Sequence, residues 1–112
     1  ETVLARKDLL DLGLVTLLDN ATQSQLRAGV ASALQVGLHW NARQLVLQVT
    51  DAGLGIHPDL LPRLGRQLVQ AHGQGMGLFL LTNLLEREGG SLGLHNLAQG
   101  VSATLILPVQ PA

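Results

Sequence analysis

The chain has 112 residues, of which 46% are hydrophobic, and a formal net charge of −1. This length corresponds to one domain with a hydrophobic core, so residues 1–112 are treated as a single domain. The balanced charge argues against binding to nucleic acid or to a membrane surface. The sequence has no cysteine, which excludes disulfides and thiolate metal sites and is consistent with the cytoplasm. No apolar run approaches the roughly 20 residues of a membrane span.

A helix is predicted over residues 4–27, because apolar residues recur there at the spacing of one helical face. These residues are Leu10, Leu14, Leu17 and Ala21. A polar row of Thr16, Asn20 and Gln23 lies beside them. Gly29 is expected to end the helix.

Two strands are predicted next, over residues 33–40 and 44–50, and the short polar join between them favours a hairpin. The segment DAGLGI, at residues 51–56, breaks the strand pattern; it is called the DAGLGI loop below. Residues 59–70 are predicted to form one or two short helical turns, interrupted by Pro62.

A second glycine run, GQGMG at residues 73–77, is predicted to be a loop that leads directly into a helix over residues 78–88. The pair Gly89–Gly90 is expected to end that helix.

Residues 91–97 and 101–109 are predicted to be two further strands, with Gly100 at the turn between them and Pro108 at the end of the last. Paired strands with separately grouped helices indicate an α/β fold, a two-layer α/β sandwich. Its sheet is expected to be mixed, mostly antiparallel, and covered on one face by helices.

The GQGMG run precedes a helix N-terminus, where unpaired N–H groups and the helix dipole favour a phosphate; an ordinary flexible loop is the alternative. A dinucleotide fingerprint is rejected, because it needs G-x-G-x-x-G directly after a strand. A P-loop is rejected as well, because it needs a lysine and the chain contains only Lys7.

The DAGLGI loop places Asp51 directly after a strand. An EF-hand is excluded, because glycine and proline occupy the positions that need oxygen ligands. A carboxylate at this point accepts hydrogen bonds, for instance from the exocyclic amine of adenine. The alternative is a surface turn capped by Asp51.

These segments form an ordered set. LLDNA at 17–21, DAGLGI at 51–56, GQGMGL at 73–78 and GVSATLILP at 100–108 resemble, in turn, the N box, G1 box, G2 box and last strand of the GHKL superfamily. That superfamily includes gyrase, Hsp90, MutL and the histidine kinases, and the resemblance implies the Bergerat (GHKL) fold.

The resemblance implies ATP and Mg²⁺ as cofactors. Asp51 would hold the adenine amine, Asn20 would ligate Mg²⁺, and the other residues would shape the base and phosphate sites. The implied binding residues are Asn20, Asp51, Gly53, Gly55, Ile56, Gly75, Gly77 and Leu78.

Position 16 separates the branches of the superfamily. ATP-hydrolysing members and related serine kinases carry a glutamate four residues before the N-box asparagine, whereas this chain has Thr16, which lacks a carboxylate to act as base. No catalytic side chain is therefore assigned. The sequence is most similar to a two-component sensor histidine kinase, and within that branch to the redox-sensing RegB/PrrB type.

Some positions depart from the family pattern. Gln23 and Ser24 stand where many histidine kinases have a basic residue, and the aromatic F box of the lid is missing. Arg63 or Arg66 would supply any phosphate contact from the lid, or else lie on a solvated surface. A serine kinase or ATPase of the same fold, and a non-catalytic nucleotide-binding interaction module, remain alternatives.

No histidine of the chain has the helical, acid-flanked setting of a phosphoacceptor; they are His39, His57, His72 and His95. The chain is expected to be a fragment of a longer sensor kinase, with its own dimerisation and phosphoacceptor domain elsewhere and a response regulator as partner. The full-length protein is expected to be a homodimer, cytoplasmic or anchored in the inner membrane, without direct membrane contact by this domain.

Overall fold

A computed structural model of the chain describes residues 2–4, 7–56, 58–59 and 75–111. The described elements, in chain order, are β1 (Thr2–Leu4), α1 (Lys7–Ala28), β2 (Gln35–Trp40), β3 (Gln44–Thr50), α2 (Gly75–Arg87), β4 (Ser91–Asn96) and β5 (Val101–Pro111). The helical turns predicted over residues 59–70 lie almost entirely outside the described residues.

The first predicted helix is confirmed over most of its length. It ends where expected, because Gly29 adopts a φ of 70° and its N–H donates to the Leu26 carbonyl at 3.2 Å. Its predicted start is wrong, because Leu4 lies in β1 and pairs with Val109 of β5.

The sheet is built around β5, which pairs with β3, β4 and β1, while β3 also pairs with β2. Every pairing among the described strands is antiparallel. Both predicted hairpins are confirmed, and Gly100, with a φ of 92°, lies in the turn between β4 and β5. The left-handed backbone at that position explains why glycine occupies it.

The expectation that Pro108 ends the last strand is wrong, because β5 continues to Pro111. Pro108 pairs with Gln44 at the last position of the β3 ladder, and from Val109 onward β5 pairs with β1. A proline cannot donate to a ladder, but it is tolerated where one pairing partner ends and another begins.

The helices α1 and α2 pack on one face of the sheet. Alternate residues of β3 point into this layer and are buried, as are Leu81 and Leu85 of α2. The buried residues of β3 are Leu45, Leu47 and Val49. The predicted two-layer α/β sandwich is therefore confirmed. In the described parts of the chain, neither helix is both long and apolar enough to cross a membrane.

The predicted apolar face of α1 is confirmed in part. Leu17 and Ala21 are buried, whereas Leu10 and Leu14 only pack against the edge of the core. Leu9 takes the buried position near the start of the helix.

Candidate functional site

One polar face of α1 contacts both glycine segments. A methyl group on Gly77 would lie 3.4 Å from Cγ2 of Thr16, and one on Gly53 would lie 2.5 Å from Oγ of Ser24. Positions 16, 20 and 24 share one helical face, so Asn20 lies midway between these contacts. The eight residue steps from Thr16 to Ser24 rise about 12 Å along the helix.

Asp51 is fixed at the end of β3. Its side chain is buried, with the residue 8% exposed, and its N–H donates to the Val101 carbonyl at 3.0 Å. The carboxylate oxygen Oδ1 accepts a 2.9 Å hydrogen bond from the N–H of Gly53. Gly100 packs against the main chain of Asp51 so closely that a Cβ there would overlap the Asp51 carbonyl. These contacts restrain the main chain of Asp51, and the Gly53 N–H holds one oxygen of its carboxylate.

The next residue, Ala52, is held from both sides by glutamine side chains. Its N–H donates to Oε1 of Gln25, on α1, at 2.9 Å. Its carbonyl accepts from Nε2 of Gln99, in the β4–β5 turn, at 2.9 Å. Gln25 is buried and also donates to the Ser32 carbonyl at 2.7 Å, so both ends of its amide are engaged.

The far end of the DAGLGI loop is held by Asn96, the last residue of β4. The Ile56 N–H donates to Oδ1 of Asn96 at 2.8 Å, and Nδ2 of Asn96 donates to the Ile56 carbonyl at 2.7 Å. In between, Oγ of Ser24 donates to the Leu54 carbonyl at 3.1 Å. Main-chain groups of Ile56 are therefore occupied within the protein, and a ligand would meet its half-buried side chain.

The second glycine segment contains the N-terminus of α2. The helix begins at Gly75, so the prediction that residues 73–77 form a loop is wrong from Gly75 onward. Gly75, Gly77 and Leu78 lie in the first turn, which carries no acidic residue. Its N–H groups and the positive end of the dipole form a surface that attracts an anion. Leu78 is buried in the core and anchors this turn.

The remaining candidates are placed as follows. His39 and His95 lie exposed on β2 and β4. His57, His72, Arg63 and Arg66 lie outside the described residues. Among the described residues, no group of three or more His, Cys, Asp or Glu side chains could hold a metal ion.

Sequence reasoning missed the three amide side chains that hold the loop, Gln25, Asn96 and Gln99. Each stands alone at the end of an element or in a turn, and none belongs to a recognisable motif. Only the folded chain brings them to Ala52 and Ile56.

Comparison with known proteins agrees with this arrangement. Residues 7–111 match the family described as histidine kinase-, DNA gyrase B-, and HSP90-like ATPase. A sensor-like histidine kinase of Rhizobium meliloti (strain 1021) is 31% identical over 86% of this chain, and the sensor histidine kinase ZraS of Salmonella typhimurium is 33% identical over 59% of it. The chain spans only 19% and 15% of those two proteins.

Solved structures show the same fold. Full-length ShkA in complex with AMPPNP superposes with a TM-score of 0.76 at 25% identity, over 93% of this chain and 22% of ShkA. The catalytic domain of the histidine kinase ThkA superposes with a TM-score of 0.79 at 19% identity, over 93% of this chain and 69% of that one.

The fold and the family match together define an ATPase domain of the GHKL type. The chain belongs to the histidine kinase-, DNA gyrase B-, and HSP90-like ATPase family, and its matched relatives are sensor histidine kinases. The narrower RegB/PrrB assignment stays a prediction.

Proposed function

We propose that this domain binds Mg-ATP and donates the γ-phosphate to a histidine on a separate dimerisation domain, as part of a two-component sensor kinase. The observation that carries the proposal is the polar face of α1, which joins a buried aspartate site to a helix N-terminus. An extended nucleoside triphosphate would span the rise of about 12 Å along α1 between Ser24 and Thr16. The family match and the sensor-kinase relatives support the same function.

The base would be recognised by Asp51. Its Oδ1 atom already accepts from Gly53, and the main-chain groups of Ala52 and Ile56 bond within the protein. A carboxylate accepts from the amine of adenine, whereas guanine presents a carbonyl at that position. Gly53 and Gly55 would shape the floor under the base through the position of the loop, because Gly53 lets the loop pack against Ser24 of α1 and Gly55 lies beside Asn96.

The phosphates would lie at the first turn of α2, against the N–H groups around Gly75, Gly77 and Leu78. The Asn20 amide oxygen would ligate Mg²⁺, because it is a hard oxygen donor on the α1 face between the two glycine segments. A single protein ligand fits this metal, which usually keeps waters and substrate phosphates as its other ligands. Mg²⁺ held there would neutralise part of the phosphate charge.

The residues of this chain would then bind and orient the nucleotide without a general base. Thr16 lies beside Gly77, at the phosphate end, but has no carboxylate to activate water or a hydroxyl. Phosphoryl transfer depends mostly on positioning and electrostatic stabilisation, and an imidazole is itself a nucleophile. The phosphoacceptor domain, a response regulator and a homodimeric full-length protein with this domain in the cytoplasm complete the proposal.

Replacement of Asp51 by Asn tests the base assignment. We expect ATP affinity to fall by about 1.5–3 kcal/mol, because the change removes a charged hydrogen bond and adds a donor that faces the adenine amine. Isothermal titration of ATP and GTP, with Asp11→Asn as an exposed control on α1, measures the effect. Equal binding of ATP and GTP by the wild type would contradict the assignment.

Incubation with γ-labelled ATP separates the histidine-kinase reading from the alternatives. We expect the isolated domain to bind nucleotide but neither to label itself nor to release phosphate at an appreciable rate. Label should appear only when the histidine-bearing helices of its own kinase are supplied. Steady phosphate release would favour the serine kinase or ATPase alternative, and binding without any transfer to those helices would favour the interaction module.

A further inference from the structure

Three amide side chains, Gln25, Asn96 and Gln99, hold the main chain of the DAGLGI loop; they are called the amide clamp below. We propose that the amide clamp sets the affinity and the base selectivity of the nucleotide site by fixing the position of Asp51. None of its members would touch the nucleotide, so they are positioning residues. The inference rests on the proposed function, because it concerns the same site.

The first step of the argument is the geometry at Ala52. This residue follows Asp51 directly, and its N–H and carbonyl bond to Gln25 and Gln99 from two different elements, α1 and the β4–β5 turn. Rotation of either peptide group would break one of these bonds and move the Asp51 carboxylate. Gln25 is only 6% exposed and is itself held by the Ser32 carbonyl, so it cannot follow such a rotation freely.

The second step concerns the other end of the loop. Asn96 bonds both main-chain groups of Ile56, as a neighbouring strand would do in a sheet. These two bonds are exposed to solvent, so water can replace them, and their loss releases this end of the loop without leaving its polar groups unpaired. Without the clamp, we expect the loop to exchange between several arrangements, because fewer contacts restrain it.

The consequence is preorganisation of the base site. A loop that is already ordered spends less binding free energy on ordering itself. Loss of a clamp bond should therefore weaken ATP binding by about two- to tenfold, which corresponds to the net contribution of one hydrogen bond. The ratio of GTP to ATP dissociation constants should also fall towards one, because a displaced carboxylate distinguishes the two bases less well.

The test compares Gln25→Met and Asn96→Ala with the control Gln48→Met. Gln48→Met also loses an amide hydrogen bond, to Oγ of Ser102 at 2.9 Å, but Gln48 lies in β3, outside the DAGLGI loop. Dissociation constants for ATP and GTP are measured by titration calorimetry, and amide exchange at Ala52 and Ile56 is measured without nucleotide. In the clamp variants we expect weaker ATP binding, a ratio of GTP to ATP dissociation constants closer to one, and faster amide exchange. Gln48→Met should keep the wild-type values.

The outcomes separate the inference from the proposed function. A wild type that does not prefer ATP would overturn both. A wild type that prefers ATP, with clamp variants that keep its affinity, ratio and exchange rates, would overturn the inference alone. If Gln25→Met does not fold, Asn96→Ala decides, because the Asn96 side chain is exposed and leaves the core intact.

Discussion

The DAGLGI loop and the first turn of α2 are both rich in glycine, but packing requires glycine at Gly53 of the loop and not at Gly77 of the turn. A methyl group on Gly53 would lie 2.5 Å from Oγ of Ser24 and 2.6 Å from its carbonyl carbon, so the loop could not approach α1. A methyl group on Gly77 would lie 3.4 Å from Cγ2 of Thr16, which is an ordinary van der Waals contact. The packing of the described residues therefore requires glycine at position 53 and not at position 77.

Glycine therefore has a different role in each of the two segments. Glycine in a helix costs about 1 kcal/mol relative to alanine, and the described neighbours of Gly77 give no reason for that cost. A ligand that must come close to the helix N-terminus does give one. Gly53 thus positions the loop, whereas Gly77 is a candidate for direct ligand contact.

The substitution Gly53→Ala should lower the stability of the domain more than the other changes considered. Gly53→Ala should destabilise the domain by about 3 kcal/mol, because its methyl group meets the main chain of Ser24, which cannot move without displacing α1. Denaturant unfolding without nucleotide measures the change. Gly37→Ala is the matched control, since Gly37 is exposed in β2 and a methyl group there meets nothing within 4 Å.

The control variant should be neutral or slightly stabilising, because alanine restricts the unfolded chain and meets no obstacle. Equal stability of Gly53→Ala and Gly37→Ala would show that the loop yields to the methyl group, and the distinction between the two glycine segments would be lost.

Much of the fold could be predicted from local patterns. Apolar residues stand at every second position along β3 and recur at helical spacing along the helices, because these spacings place the apolar side chains on the buried face. Strand β1 could not be predicted, because its three residues show no period and its pairing partner lies at the other end of the chain. The continuation of β5 past Pro108 could not be predicted for the same reason, since it depends on pairing with β1.

The candidate site shows the same division. Asp51 and the glycines could be predicted as site residues because they stand in two short segments that resemble the G1 and G2 boxes of the GHKL superfamily. Gln25, Asn96 and Gln99 could not, because each bonds a main-chain group 27, 40 or 47 residues away in sequence. Nearly every residue offers the same main-chain N–H and C=O groups to a glutamine or asparagine side chain. The type of residue on the other side of the contact therefore gives no signal in the sequence.

Substitution of Asn20 tests whether the α1 face between the two glycine segments belongs to the nucleotide site. Asn20→Ala should abolish the Mg²⁺ dependence of ATP binding while the fold survives, because the substitution removes the proposed oxygen ligand. Titration of ATP with and without Mg²⁺ measures this, and Thr22→Ala, exposed on α1, is the control. A variant that melts at lower temperature but keeps the full Mg²⁺ effect would assign Asn20 to the helix structure instead.

Gly77→Ala should change the stability of the domain least, and it separates a packing role of this glycine from a role in ligand contact. Gly77→Ala should leave the nucleotide-free domain as stable as the wild type or up to about 1 kcal/mol more stable, because alanine favours the helix and its methyl group fits beside Thr16. ATP affinity should nevertheless fall, since the methyl group would stand where phosphate oxygens approach the N–H groups of the first turn. Melting temperature without nucleotide and titration with ATP give the two values. Higher stability with weaker binding is a combination that a purely structural glycine cannot produce. Unchanged ATP affinity would place the phosphates away from Gly77, and reduced stability would mean that Gly77, like Gly53, is glycine for reasons of packing.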